Sequence, residues 1–283
     1  SHSLKNAVLK RSCVLGLILL IGDAHACGNG EAIISGGDTY PPLSWRRGDT
    51  LVGASVDMVR EILAELGIKA RADEGGPWKR VLRRTRDGQV DILMGVRKSP
   101  DRENFLLYLD PPLTPSVQGV FMLASHKFAY NDWKDLEGKT GTITLGTNFD
   151  DAFDEYARTH LALQSVRKVE QNFTKLEKGR VDYMLGPLVP TQLYLDKYVY
   201  SGNIVSAEKS LMVLQEYVAI SRKSPCLKYA ASISRSLQRW SDSGKIGEAM
   251  ENSFVDWFQE QENNEKSAEK APAARSTSSP RTP

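Results

Sequence analysis

The sequence predicts an α/β protein of two similar lobes with a ligand cleft between them. One observation is an internal repeat. Gly88-Gln89-Val90-Asp91-Ile92-Leu93-Met94-Gly95 and Gly179-Arg180-Val181-Asp182-Tyr183-Met184-Leu185-Gly186 share Gly, Val, Asp and Gly at matching places. The other is the alternation of short β-rich apolar runs with segments of helical periodicity, which implies mainly parallel sheets with ligands beyond the C-terminal strand ends. Each copy of the repeat follows a charge-rich segment at helical spacing, Trp78 to Arg86 and Phe173 to Lys178. Glycine ends such a helix because the left-handed conformation suits it best, and the apolar run that follows reads as a buried strand. Asp91 and Asp182 recur at matched turn positions, which favours structural caps over a paired acid–base role.

The remaining elements follow in order. Ala32 to Ser35 reads as a strand entering the loop Gly36-Gly37-Asp38-Thr39-Tyr40-Pro41-Pro42. Val56 to Leu66 has helical spacing (Met58, Val59, Ile62, Leu63, Leu66), stops before Gly67, and has Ser55 or Asp57 as N-cap. Gly119 to Ala124 and Thr140 to Leu145 read as strands, and Asp150 to Thr159 as a helix after Gly146-Thr147-Asn148. Val218 to Ser221 reads as a returning strand, with helices around Leu227–Ser241 and Ile246–Phe258 completing the ordered chain.

The ends set the compartment. Lys5, Lys10 and Arg11 precede an apolar run from Cys13 to Ile21, and Ala24-His25-Ala26 offers a cleavage site. These are the parts of a secretory signal peptide over residues 1–26, with an apolar run too short to span a membrane. Without that leader the chain carries 34 basic and 34 acidic residues and enters the periplasm. In an oxidising compartment the two remaining cysteines, Cys27 and Cys226, are expected to form a disulfide. From 261 to 283 nothing larger than Ala is apolar, and this segment reads as a disordered tail.

Composition excludes several functions. The whole chain has 37 Lys+Arg against 35 Asp+Glu, without the basic excess that phosphate-backbone binding needs, so no nucleic-acid partner is expected. Four histidines, three cysteines and no C-x-x-C pair give no metal site, and no cofactor is implied. There is no G-x-S-x-G elbow and no ligand cluster around His126 or His160.

The ordered set Asp38-Thr39-Tyr40-Pro41-Pro42-Leu43-Ser44-Trp45, Leu51-Val52-Gly53, Val56-Asp57-Met58, Gly88-Gln89-Val90-Asp91, Asp101-Arg102, Asp110-Pro111-Pro112-Leu113, Leu136-Glu137-Gly138-Lys139 and Gly146-Thr147 resembles the extracellular solute-binding proteins of bacterial ABC importers. The similarity is to their polar amino-acid type, with the type II periplasmic-binding fold, over roughly residues 32–258. It implies lobe 1 over 27–116 and 208–260, and lobe 2 over 117–207, with hinge crossovers near Pro115-Ser116 and Ser206-Ala207. It also implies a monomer that binds a small carboxylate-bearing solute by cleft closure and presents it to an ABC permease.

The resemblance carries the carboxylate-binding arginine to Arg102, whose planar fork can donate two parallel hydrogen bonds. It places Met94, Gly95 and Arg97 where relatives offer backbone groups and small hydroxyls, and Thr147 and Asn148 where the opposite lobe contributes. Asp38, Gly186 and the aromatics Tyr40, Trp45 and Trp78 complete the candidate site, with Tyr40 at the stacking position. There are two departures. Many amino-acid binders have an acid just beyond the second repeat to meet an α-ammonium, whereas here Gly186 is followed by Pro187-Leu188, leaving Asp38 as a substitute. Arg97 stands where a small hydroxyl residue is usual, and would favour an anionic or dicarboxylate ligand if it points inward. Two alternatives stay open. One is a sensor subunit for a membrane receptor. The other is a dehydratase acting on cyclohexadienyl substrates, whose proton donor would have to occupy the place of Pro187.

Overall fold

The computed structural model describes residue 27 and residues 30–198 and 202–270. The expected signal peptide and residues 271–283 of the expected tail lie outside the described residues.

The chain opens with strand β1 (Glu31–Ser35), a small antiparallel sheet of β2 (Thr39–Tyr40), β3 (Ser44–Arg47) and β4 (Thr50–Val52), and helix α1 (Ala54–Glu65). Strand β5 (Lys69–Ala72), helix α2 (Trp78–Arg86), strand β6 (Ile92–Val96) and the short helix α3 (Pro100–Glu103) follow. Then come the 18-residue strand β7 (Leu106–Leu123), β8 (Thr140–Thr144), α4 (Asp151–His160), β9 (Ala162–Val166), α5 (Val169–Glu177), β10 (Tyr183–Pro187) and α6 (Leu188–Lys197). Finally β11 (Ile204–Ser206), β12 (Met212–Ser221), α7 (Ala230–Asp242) and α8 (Lys245–Lys270) complete the described chain.

One sheet runs in the order β5-β1-β6-β12-β7-β10-β8-β9, with β11 also paired to β7. Its flanks are parallel (β5-β1-β6 and β10-β8-β9), as the alternation of elements predicts. Its centre is not: β12 runs antiparallel to both β6 and β7, and β7 antiparallel to β10. The two flanks are therefore joined by a long antiparallel ribbon.

The repeat forms the same local structure twice. Gly88 and Gly179 end α2 and α5 at φ 82° and 61°, where a side chain would be strained. Each repeated aspartate then ties the incoming strand to its neighbour. Asp91 accepts from the Ile33 backbone N–H at 2.8 Å and from Ser224 Oγ at 2.6 Å, and Asp182 accepts from the Thr140 N–H at 2.7 Å. The structural reading of the pair holds.

Two expectations change. Helix α1 is capped by neither Ser55 nor Asp57. Gly53 is its N-cap at φ 126°, and a Cβ there would lie 2.5 Å from the Leu43 carbonyl oxygen, so the helix start presses directly on the Pro42–Leu43 backbone. Ser206 pairs with Phe121 and the Ala207 N–H bonds Val120 O, while Leu214 and Gln215 pair with Ser116 and Pro115. The tail expected to be disordered from residue 261 is helical to Lys270. A helix already nucleated by packing extends at little cost through Glu- and Lys-rich sequence, without burying anything. Lys266 and Glu262 pair one turn apart along it, at 3.5 Å.

The expected disulfide is present. Cys27 and Cys226 are bonded with Cα atoms 4.7 Å apart, and both are buried in the core around Ile34, Val59, Ile62 and Leu237. A second core joins the halves. Trp45 of β3 meets Trp257 of α8 edge-on at 5.4 Å, and Tyr194 of α6 lies 5.4 Å from Trp257 on the other side.

Helix α8 thus divides at Glu260, which accepts from Trp45 Nε1 and Arg47 Nε, both at 2.9 Å, whereas residues 262–269 are exposed. Glu260→Ala should cost about 1–2 kcal/mol in urea unfolding, because the buried indole N–H loses its acceptor. Truncation before Glu262 should leave the thermal midpoint within about a degree. A truncation as damaging as Glu260→Ala would show that the exposed turns dock.

Candidate functional site

The parallel strands of both flanks end at one cavity of about 560 Å³. From the first half come the loop after β1 (Asp38, Tyr40), Trp78 at the start of α2, and Gly95 and Arg97 at the end of β6. The second half contributes Thr144 and Thr147 beyond β8, the turn into α5 (Arg167 to Glu170), Gly186 and Pro187 ending β10, and Thr191, Tyr194 and Lys197 of α6. Glu216 of the ribbon lines it as well.

Of the residues singled out in the sequence, the structure brings Asp38, Tyr40, Trp78, Gly95, Arg97, Thr147 and Gly186 together here. Four others go elsewhere. Trp45 is 1% exposed and belongs to the aromatic core with Trp257. Met94 is fully buried in the first core, because alternation along β6 turns it away from the cavity. Arg102 is held by the turn of α3, where Ser99 caps its backbone N–H. Its guanidinium donates to Arg97 O at 3.1 Å and to Gly146 O at 2.9 Å, bridging the halves outside the cavity. Burial and the nearby Arg97 charge lower its pKa to about 10, so it remains a cation at neutral pH. Asn148 lines a neighbouring depression with Arg102.

Arg97 points inward. It is 9% exposed, and its side-chain contacts are long: Nη1 to Gln118 Oε1 at 3.5 Å, Nε to Glu216 Oε1 at 3.7 Å, and the guanidinium 5.7 Å from the ring of the buried Phe149. Charge-assisted bonds normally close to about 2.7–2.9 Å. Glu216 is 1% exposed and accepts from Tyr40 Oη at 2.7 Å, and its second oxygen has no partner. Burial raises its pKa, against the opposing Arg97 charge. Tyr40 Oη also meets Ser116 Oγ at 2.7 Å, and burial followed by the Glu216 charge pushes its pKa well up. The ring is thus tied to the ribbon through its hydroxyl.

Toward the other side lie Asp38 and Glu170. Tyr194 Oη donates to the Asp38 carbonyl oxygen and Tyr198 Oη to Glu170 Oε1, both at 3.3 Å. Sequence reasoning missed Glu216, Glu170 and Tyr194. For Glu216 there was a signal, an acid within the apolar run Met212 to Ile220. Among the described residues no group of three or more His, Cys, Asp or Glu side chains could hold a metal ion, and no helix is long and apolar enough to cross a membrane.

Comparison with known proteins agrees with this geometry. Residues 33–168 match the model of the bacterial extracellular solute-binding proteins, family 3. Over that stretch the chain is similar to this family. No curated protein matches it by sequence. Among solved structures, a mutant of the arginine-binding protein ArgBP from T. maritima superposes with a TM-score of 0.68 at 19% identity, covering 80% of this chain and 96% of that one. The amino acid ABC transporter substrate-binding protein AbpA from Streptococcus pneumoniae, bound to L-arginine, gives 0.69 at 17% identity over 81% and 96%. A histidine kinase sensor domain with similarity to periplasmic binding proteins gives 0.66 at 20% over 80% and 95%. The chain therefore has the type II periplasmic-binding fold.

The carboxyl of Asp38 is shifted toward neutral pH. Burial chiefly, then the Glu170 charge, raise the pKa of Asp38 from 3.8 to about 6 against its backbone hydrogen bonds and the Arg46 charge. The folded state thus holds this proton more tightly than the unfolded chain. The associated stability is complete below about pH 4 and is lost as pH rises through about 6. Asp38→Asn should therefore raise the unfolding midpoint at pH 7.5 and leave it unchanged at pH 3.5. An equal effect at both pH values would show that the charge is not responsible.

Proposed function

We propose that this protein is exported, binds a small carboxylate-bearing solute between two lobes, and delivers it as a monomer to an ABC transporter. The observation that carries the reading is Arg97, a nearly buried guanidinium lining a cavity between the halves with only long contacts of its own. A desolvated cation with unfilled donors favours an anion strongly, and a planar fork favours a carboxylate. The cavity is of the size usual for small-molecule sites.

In this reading Arg97 takes the anchoring role that the sequence resemblance assigned to Arg102. Arg102 instead stabilises closure, since its bond to Gly146 O exists only while the halves meet. Thr144 and Thr147 complete the anion's partners from the far side. Lobe 1 is then roughly 27–116 with the chain after the second crossing, lobe 2 is the segment between, and the ribbon of β7 and β12 is the hinge. The likeness to a histidine kinase sensor domain favours a second reading of the partner, in which the closed form is presented to a membrane receptor. Both readings share the binding event. The family and these neighbours are binding proteins, which supports a binder over a dehydratase.

Calorimetry with amino acids, dicarboxylates and small aromatic acids should reveal one class that binds. Arg97→Lys should weaken that class by about 1–3 kcal/mol, because it keeps the charge and loses the fork. Unchanged affinity in this variant would remove Arg97 from the site.

A further inference from the structure

Helix α8 carries one apolar stripe that meets two different cores. Ile246, Ala249 and Met250 pack against the core of the first half, around Val59 and Ile62. Further along the same helix, Phe254 and Trp257 pack into the second core, with Phe173 and Leu193 of the other half. A surface helix ordinarily turns such a stripe toward a single core. Each end of this stripe is fixed to the first half. Lys245 Nζ lies 3.4 Å from Glu61 Oε1, and Glu260 accepts from Trp45 Nε1 and Arg47 Nε at 2.9 Å.

The other half grips Trp257 through the far end of α6. Tyr194 lies 5.4 Å from the Trp257 ring, and Lys197 Nζ stands 5.3 Å from the centroid of Trp257, 5.4 Å from that of Tyr194 and 5.5 Å from that of Tyr198. An ammonium among aromatic faces is attracted by each ring, more so where water is excluded. Trp257 is 1% exposed and is not part of the cavity lining, whereas Tyr194 and Lys197 are. The near end of α6 meets the ribbon, where a Cβ on Gly119 would lie 3.1 Å from Leu188 Cδ1. Tyr194 stands about 9 Å further along the helix, at about 1.5 Å per residue.

We propose that α8 is a latch on the opening of the cleft, with Trp257 as its catch and Tyr194 and Lys197 as the keeper in the other half. A rotation about the ribbon that carries α6 away from the first half uncovers the indole and separates Lys197 from it, so opening works against both contacts. The latch belongs to the chain itself and holds the halves together without a ligand. This inference rests on the lobe movement in the proposed function and not on the chemistry of the ligand.

The test measures the distance between the halves in the full chain, without added solute, by double electron–electron resonance. Spin labels go on Ala64→Cys and Arg180→Cys, both exposed and one in each half. With no other substitution the labels should report one short distance. Trp257→Leu should add a longer one and raise the open-to-closed ratio about 10-fold, the upper range of an aromatic pair. Lys197→Met, which keeps the apolar stem, should raise it about 3- to 30-fold, the range of a cation–π contact. Leu136→Ala, in a core that α8 does not touch, should loosen the protein and leave the distances unchanged. If Trp257→Leu does not fold, Lys197→Met and the distances in the parent chain decide.

A parent chain that is already mostly open would overturn the latch, as would unchanged distances in the variants that fold. Equal opening in Leu136→Ala would also overturn it, by showing general loosening. Calorimetry reads the carboxylate proposal separately, so failure of the latch leaves that reading standing, and the reverse holds.

Discussion

The ribbon of β7 and β12 is the constraint on which the rest of the molecule depends. These strands alone run through both halves of the sheet, pairing from Leu106–Ser221 at one end to Gln118–Met212 at the other. Both flanks hang on it, β6 on β12 and β10 on β7, so their parallel strands are forced to end toward one another. The register is broken where Asp110 to Leu113 stand opposite little more than Tyr217, and the prolines that cannot donate to a ladder fall there. A strand pair interrupted in this way holds the halves together while remaining a natural place to bend.

The same ribbon sets the chemistry of the cavity. Ser116, Gln118 and Glu216 all lie on it, and they hold Tyr40 and Arg97 through a continuous polar network. Such groups are expensive in a sheet interior unless each has a partner. Here the network closes at Tyr40 and Ser116, with bonds of 2.7 Å, and remains open at Arg97 and at one oxygen of Glu216. Both residues of the incomplete part line the cavity.

Much of the fold was legible because glycine and aspartate have few other reasons to recur together. Gly88 with Asp91 and Gly179 with Asp182 mark a helix end and a strand entry, and their hydrogen bonds are equivalent. The first half of β7 was not legible, since Pro111, Pro112 and Pro115 argue against a central strand in any single-sequence reading. Helix α6 was hidden in the same way by Pro187 and Pro190. In the site, the loop carrying Asp38 and Tyr40 and the glycine ends of β6 and β10 were legible, because strand ends are where such folds gather ligands. The relation of Arg97 to Arg102 was not. Resemblance assigns a position in the chain, whereas the direction of a guanidinium depends on which carbonyls the surrounding turns leave open, and Arg97 O and Gly146 O take up Arg102.

Contacts that bridge the halves decide how a ligand could act on this structure. Tyr194 reaches the Asp38 carbonyl at 3.3 Å, Arg102 reaches Gly146 O at 2.9 Å, and Trp257 packs on Tyr194. Tyr194 and Asp38 meet on the wall of the cavity, whereas Arg102, Gly146 and Trp257 are outside its lining. A ligand shifts an opening equilibrium only by its difference in affinity for the two forms. Contacts from one lobe alone, such as those of Tyr40 or Trp78, would be made equally in an open form and contribute nothing to that difference. Groups that converge only on closure, Thr147 and Gly186 against Arg97, are the ones that can supply it. Under the proposed function, Arg97 would hold the anion in either form, and the far half, through Thr147 and Gly186, would report that it is bound.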